Sequence, residues 1–356
     1  MRIERLHIPE RIDAPDAADF IEMVRVRNEI EADLVGNHDL AYTPAELLPA
    51  YQRQRWEPKT LLVARVDDRI VARGIMETGP VDDESPMAWL VVEVLREYRN
   101  HGIGTALADA VERLAIDDGR SILQSYVPQA VSDDPDVITA STGFGAVPRN
   151  SPSTRFLLRR GYTLEQVERM SRLDLPVDPE VLDDLLAAAV RAAGPDYRID
   201  TWTGRTPEER LADIALLRTR MGTDAPAGGL EPDETVWTAD RVRDEDDKEE
   251  SSPRTLVTAL VEHSPTGTVA GFTELSVPPE RHRPVGQGDT IVLSEHRGHR
   301  LGMLLKLVNI ANLEEVAPGH PSITTFNAEE NRHMLAVNEA IGFVPWGYEG
   351  GWKRTL

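Results

Sequence analysis

The sequence predicts an α/β protein, more finely an α+β one, built from two similar domains. Three observations carry this. The chain has 356 residues, long for one domain and ample for two of roughly 150 to 180 residues each. A strand hairpin, a further long strand, a glycine-bearing turn and a helix occur twice in the same order. Corresponding glycines keep their spacing: Gly74 and Gly271 lie 197 positions apart, and Gly104 and Gly302 lie 198 apart.

Each half opens on a strand, MRIERLHI and YRIDTWTG, that leads to an amphipathic helix. Thr43-Pro44-Ala45-Glu46 and Thr206-Pro207-Glu208-Glu209 both predict helix starts, with a capping box and a proline at the first position. The hairpins follow, TLLVARVDDRIVARGIMETG at 60–79 and TLVTALVEHSPTGTVAGFTEL at 255–275, each with apolar, β-branched runs around a turn. Next come WLVVEVLREYRNHGIG and DTIVLSEHRGHRLG, then helices with apolar stripes at Leu107, Val111 and Leu114 and at Leu304, Leu305, Val308 and Leu313. A strand (ILQSYVP, SITTFN) and a short helix complete each half. Those helices end on Gly161-Tyr162 and Gly342-Phe343, the glycine serving as a left-handed cap.

From turn glycine to cap glycine the first half runs 57 residues and the second 40. The extra 17 lie in VSDDPDVITASTGFGAVP, a polar loop that is either a binding loop or lid or a neutral surface insertion. DPEVLDDLLAAAVRAAG, 178–194, reads as a connecting helix, and DEDDKEESS, 244–252, as a solvated helix end or loop. The expected organisation is a first domain at 1–177, a connecting segment at 178–195 and a second domain at 196–356.

Composition narrows the function. Apolar residues make up 40% and charged residues 28%, as in globular proteins. No stretch approaches the ~18 apolar residues of a membrane span, and the N-terminus lacks the apolar core of a secretory signal, so the cytoplasm is the expected location and no membrane partner is expected. A net charge of −22 argues against nucleic acid, whose phosphates need a basic face, and suits a cationic substrate such as an amine. The chain has no cysteine, which excludes disulfides, cysteine nucleophiles and thiolate metal sites. Its nine histidines show no metal-ligand spacing, so no metal is expected.

Arg99-Asn100-His101-Gly102-Ile103-Gly104-Thr105 and Arg297-Gly298-His299-Arg300-Leu301-Gly302 join a strand to a helix start. Such a turn aims successive backbone N–H groups at one spot and adds the partial positive charge of the helix end. It is not a P-loop, since no lysine follows the glycines. Nor is it a dinucleotide fingerprint, since it follows the fourth strand of each half after an antiparallel meander.

Arg99-x-x-Gly102-x-Gly104 resembles the pyrophosphate motif of the GNAT superfamily of N-acetyltransferases, and the order of flanking elements is similar in both halves. The layout resembles that of tandem, two-domain GNAT proteins of actinobacterial type. The resemblance implies a mixed, mostly antiparallel sheet flanked by helices in each domain, with strands four and five splayed around acetyl-CoA as co-substrate. It implies that Arg99, Asn100, His101, Gly102, Ile103, Gly104 and Thr105, and Arg297 to Gly302, hold the pyrophosphate. Val92 and Val94, or Ile291 and Val292, would meet the pantetheine arm, though core packing accounts for them equally. Asn150 and Asn331 would lie on the cofactor side, or merely cap helices.

The reaction implied is direct attack of a primary amine of a small molecule on the thioester. Base candidates are Glu93 and Asp289, both also readable as solvated surface. The tyrosine that usually serves as acid is replaced by Leu157 in the first half and by Asn338 in the second. The first half has the better cofactor loop. The fuller polar set of the second, with Asn327, Asn331 and Asn338, inclines the chemistry there. The alternatives are a non-catalytic acyl-CoA-binding scaffold and a protein lysine acetyltransferase. A monomer or homodimer is expected.

Overall fold

The computed structural model describes residues 1–80, 85–232 and 235–356. They form two compact units. Unit one is Met1–Glu168 with Ala227–Glu231 and Gly347–Leu356, and unit two is Arg169–Pro226 with Pro232–Trp346.

In chain order the elements are β1 (Arg2–Arg5), α1 (Ala18–Val35), α2 (Pro44–Gln52), β2 (Lys59–Val66), β3 (Arg69–Glu77), β4 (Met87–Val94), α3 (Ile103–Asp117), β5 (Ile122–Ala130), β6 (Val137–Thr139), β7 (Ala146–Pro148), α4 (Pro152–Arg159) and β8 (Thr163–Asp174). Then come α5 (Pro179–Ala193), β9 (Tyr197–Thr203), α6 (Leu211–Asp224), α7 (Ala239–Glu250), β10 (Thr255–His263), β11 (Thr268–Val277), β12 (Val285–Val292), α8 (Leu301–Val316), β13 (Ser322–Ala328), α9 (Arg332–Ile341) and β14 (Val344–Thr355).

The strands of unit one run β1-β2-β3-β4-β5-β14 in hydrogen-bonded order, and those of unit two run β9-β10-β11-β12-β13. The β4–β5 pair is parallel, as is β12–β13, whereas β1–β2, β2–β3, β3–β4, β5–β14, β9–β10, β10–β11 and β11–β12 are antiparallel. The mixed sheet expected for each half is therefore present. Unit one completes its sheet with a strand from the far end of the chain: Gly347 to Thr355 pair with Ala130 to Ile122. Trp352 on that strand is 0% exposed and packs in one core with Phe20, Met23, Val63, Leu107, Val111 and Leu123. In unit two, α5 packs with α8, and Ala189 and Ala193 join the core of Val257, Leu304, Leu305, Ile323 and Phe343.

Two local expectations need correcting. Thr43 does form the capping box with Glu46, but Thr206 caps no helix. Its N–H and Oγ1 both donate to the carboxylate of Asp246 on α7, and the chain makes a 3-10 turn at Glu208–Arg210 before α6 begins. A charged acceptor outcompetes a local cap. The segment 244–252 is the C-terminal part of α7 and its exit, the helix end that was one of the two expectations. The insertion after β5 is no bare loop, because β6 and β7 pair as a small antiparallel ribbon and Ala140 and Val147 enter the core.

Lys306 on α8 is 1% exposed. Among the described residues it has no ion pair, and its Nζ lies 5.7 Å from the centroid of the Phe343 ring. Burial pushes its pKa down to about 7. The unfolded chain binds this proton more tightly, so stability rises with pH from about 7 towards the ordinary lysine value. Lys306→Met is expected to stabilise the protein by about 1–3 kcal/mol at pH 7 and below. The gain should shrink as pH rises towards 10, which chemical denaturation at several pH values will show.

Candidate functional site

β4 and β5 share a ladder only at Met87, Ala88 and Trp89. β5 continues alongside β14 while β4 stays with β3. Beyond Trp89 the two strands part, leaving the edge of β4 from Leu90 to Val94 unpaired towards β5. Unit two has the same wedge, since β12 meets β13 only at Val285 and Gly286. An open strand edge inside a sheet is a ready site for an extended ligand that adds as a strand.

Below each wedge lies the glycine-bearing turn, and the two turns share one backbone design. In the first, Asn100 and Gly102 are left-handed, with φ of 64° and 80°. In the second, Gly298 and Arg300 are, with φ of 90° and 55°. The glycine has changed places while the conformation is retained. N–H groups at both turns lack backbone acceptors among the described residues until Ala106 and Leu304, which bond back to Gly102 and Arg300. His101 and Thr105 are exposed at the first turn and Ile103 is buried beneath it. Gly104 faces Val94 and Phe156, which a Cβ would touch at 3.5 and 3.8 Å.

The motif arginine acts differently from expectation. Arg99 Nε donates to Val94 O at 2.9 Å, and Nη1 pairs with Asp33 at 2.7 Å. Arg297 repeats this with Val292 O at 3.1 Å and Asp224 at 2.8 Å. In both units the arginine ties the strand end to the C-terminal turn of a helix, α1 in the first and α6 in the second. Arg300 meanwhile holds a left-handed conformation that costs a residue with a Cβ about 1–2 kcal/mol. Arg300→Gly is expected to stabilise the protein by about 0.5–1 kcal/mol, after allowing for the greater freedom of unfolded glycine. Gly102→Arg should cost a similar amount, since no atom lies within 4 Å of the added Cβ. Paired denaturation curves test both.

A cavity of about 410 Å³ fills the wedge of unit one. β4 lines it with Leu90 to Val94, β5 with Ser125 to Pro128, α3 with Gly104, Thr105 and Ala108, and α4 with Ser153, Phe156 and Leu157. A second cavity beside the turn is lined by Arg96, Arg99, Asn100, Gln129, Asn150 and Arg155. Val92 and Val94 therefore border the main cavity, and Asn150 borders the second while donating to Asp136 at 2.9 Å. Tyr126 lines the main cavity from β5 and donates its hydroxyl to Gln166 at 2.9 Å. Tyr162 also lines it, but the buried Glu112 receives its hydroxyl at 3.3 Å, and burial pushes its pKa up.

The face of the wedge opposite α3 is acidic. Strand alternation puts Trp89, Val91 and Glu93 on one face of β4, and Arg73, directly across on β3, pairs with Glu93. Arg73 also lies 3.9 Å from Glu31 of α1, which Arg27 holds at 2.8 Å. Glu31 is 9% exposed. Burial is the main cause that pushes its pKa up to about 7; the arginines oppose the rise and Glu93 adds to it. On β14, Glu349 sits opposite Pro128, with Cβ atoms about 5 Å apart in such a pair. It is half-buried, and it has no hydrogen bond or ion pair among the described residues. Loss of hydration first, then Glu168 and Glu31, pushes its pKa up to about 8. Of these groups only Glu93 was a candidate from sequence.

In unit two Ile291 is buried in a core with Leu260, Phe272 and Leu293, and Val292 packs at the edge of the other core. Asp289 lies 3.8 Å from Arg218, whose nearer partner is the buried Glu274 at 2.7 Å. Asn338 is 1% exposed and donates to Asn327 at 2.6 Å. Its own Oδ1 is buried and has no hydrogen-bond partner. Asn331 caps α9 by accepting from Met334 N–H. His299 packs its ring against Tyr197, 5.3 Å between centroids. Leu301 is buried, and a Cβ added at Gly302 would stand 3.9 Å from Val292. Among the described residues no group of three or more His, Cys, Asp or Glu could hold a metal ion, and no helix is long and apolar enough to cross a membrane.

Comparison with known proteins follows the same lines. Residues 26–131 match the model of the Acetyltransferase (GNAT) family. A tandem GNAT protein from the clavulanic acid biosynthesis pathway, solved without acetyl-CoA, is similar at 23% identity with a TM-score of 0.75, over 99% of this chain and 98% of that one. A GCN5-related N-acetyltransferase from Sphaerobacter thermophilus is similar at 14% identity and a TM-score of 0.60, over 96% and 94% of the two chains. A putative acetyltransferase from Pyrococcus horikoshii follows at 12% and 0.56, over 100% and 89%. No curated protein matches. The chain has the tandem GNAT fold, and the family match falls within its first half.

Proposed function

We propose that the chain is an acetyl-CoA-dependent N-acetyltransferase acting on a primary amine of a small molecule, and that its working site is the wedge of unit one. The observation that carries this is the cavity that runs along the unpaired edge of β4 to the left-handed turn at Asn100 and Gly102. This favours the first half for the chemistry, against the inclination drawn from the polar residues of the second. Asn338, part of the ground for that inclination, is 1% exposed and donates to Asn327.

The residues fit acetyl-CoA. Free N–H groups at the turn suit a pyrophosphate, and the β4 edge suits an extended amide chain. Arg99 is committed to Asp33, so the backbone rather than this guanidinium supplies the phosphate donors. Bound there, acetyl-CoA would supply a thioester whose C–S bond breaks as the amine nitrogen bonds to the acetyl carbon. Glu349 takes the proton the amine must lose, as a carboxyl tuned near the working pH can. Glu93 is less suited to that task, being tied to Arg73. A β4 N–H left free by the splay donates to the thioester oxygen. Tyr126 returns a proton to the leaving thiolate in place of the absent tyrosine at Leu157. Tyr126→Phe keeps the ring and is expected to lower kcat by about 10- to 100-fold with KM for acetyl-CoA little changed.

The leucine at position 157, which lines the cavity, favours a second reading, a non-catalytic acyl-CoA-binding protein. Thioester consumption with a panel of small amines separates the two. Turnover above the enzyme-free rate supports the transferase, whereas tight acetyl-CoA binding without turnover on any amine supports the binder.

A further inference from the structure

The acidic face of the unit-one wedge gathers several carboxyl groups from separate elements. Glu31, Glu93, Glu168 and Glu349 come together there from α1, β4, β8 and β14. The cations recorded against Glu31 and Glu93 are Arg27 and Arg73. Arg27 is already shared with Asn28 and the carbonyl of Leu40. The Oε2 atom of Glu31 is buried and has no hydrogen-bond partner. A buried carboxylate oxygen without a donor is costly, and a native structure retains one where something else completes it. On the same face of β4, four residues before Glu93, the rings of Trp89 and Tyr126 stack, 5.1 Å apart and 13° from parallel, across the point where β4 and β5 separate. Aromatic faces next to unpaired carboxylates bind organic cations.

We propose, resting on the transferase reading above, that the acceptor is at least dicationic: a diamine or polyamine whose second ammonium group docks at Glu31 Oε2 and Glu93 while the first meets Glu349 at the wedge. One ammonium is consumed by acetylation. The other stays charged, and it supplies the donor that Glu31 lacks. The Trp89–Tyr126 wall covers the methylene chain between the two. A monoamine would reach Glu349 but leave Glu31 bare.

The proposal has a linkage consequence. The groups that face Glu31 are Arg27, Arg73, Glu93 and Glu349, and Glu168 also faces Glu349. With Glu31 near 7 and Glu349 near 8, both are partly protonated at neutral pH. A dication binds the ionised forms, so binding releases protons and tightens from pH 6.5 to about 8.

Isothermal titration of the full-length protein with spermidine, 1,4-diaminobutane and 1-aminobutane, with and without coenzyme A, tests the proposal. Both polyvalent amines are expected to bind at least about tenfold more tightly than 1-aminobutane. Glu31→Gln should erase most of that difference. Should Glu31→Gln fold poorly through loss of the Arg27 pair, the wild-type comparison and its pH dependence decide alone. Equal affinity for 1-aminobutane and 1,4-diaminobutane in the wild type would overturn the dicationic acceptor, even if both were acetylated. Preferential diamine binding without any thioester turnover would overturn the transferase reading and leave this site standing.

Discussion

Glutamine in place of Glu349 is expected to lower kcat by about 100-fold or more in a protein that remains folded. The same substitution should change stability in the opposite sense. The Glu349 carboxyl is raised to about 8 in the folded chain against an ordinary value near 4.3 in the unfolded one. The native state therefore holds a proton that the unfolded state releases, and wild-type stability falls as pH rises from about 4.5 to 8. Glu349→Gln removes that loss, so its melting temperature should exceed wild type above pH 8 and match it near pH 4.5. In wild type, kcat/KM should climb with pH and level off near 8, and the variant should lose that limb. A purely structural role for Glu349 would leave the pH profile in place.

Trp352→Ala is expected to cost about 3–5 kcal/mol, enough to unfold a domain of ordinary stability. Its effect should fall on unit one, because Trp352 is wholly buried in the core of that unit. Acetyl-CoA binding at the unit-one wedge should be lost with it. Phe343→Ala, only nine residues away in sequence, should instead weaken the core of unit two. Urea denaturation followed by tryptophan fluorescence and by proteolytic fragments distinguishes the two outcomes. If Trp352→Ala left the first 168 residues protease-resistant and melted only unit two, the assignment of the last strand would be wrong.

These two residues also mark where sequence reasoning reaches its limit. The repeat, the hairpins, the left-handed turns and the cap glycines were legible because each rests on local chemistry. Glycine spacing, alternation and capping residues all act within a few positions of one another. Glu349 sits in GYEGGW, which reads locally as an unremarkable final strand, and nothing nearby reveals that its partner is β5, more than 200 residues upstream. Glu31 was hidden in the same way. On α1 it is one of several acidic residues in a charged helix, and only the tertiary contact with Arg73 and Glu93 makes it buried. The arginine of the turn was found by its motif, but its bond to Asp33 crosses 66 positions and left no local trace. Arg300 shows the converse. It stands where the first turn has Gly102, and the chain accepts the cost of a Cβ in a left-handed position.

The claim that unit one holds the acyl donor is tested most directly by hydrogen–deuterium exchange with and without acetyl-CoA. Added acetyl-CoA should protect the amides of Leu90–Val94 on β4 and of residues 100–105 at the turn, with little change at 287–292 and 298–302. Protection confined to those segments of unit two, with none on β4, would contradict it.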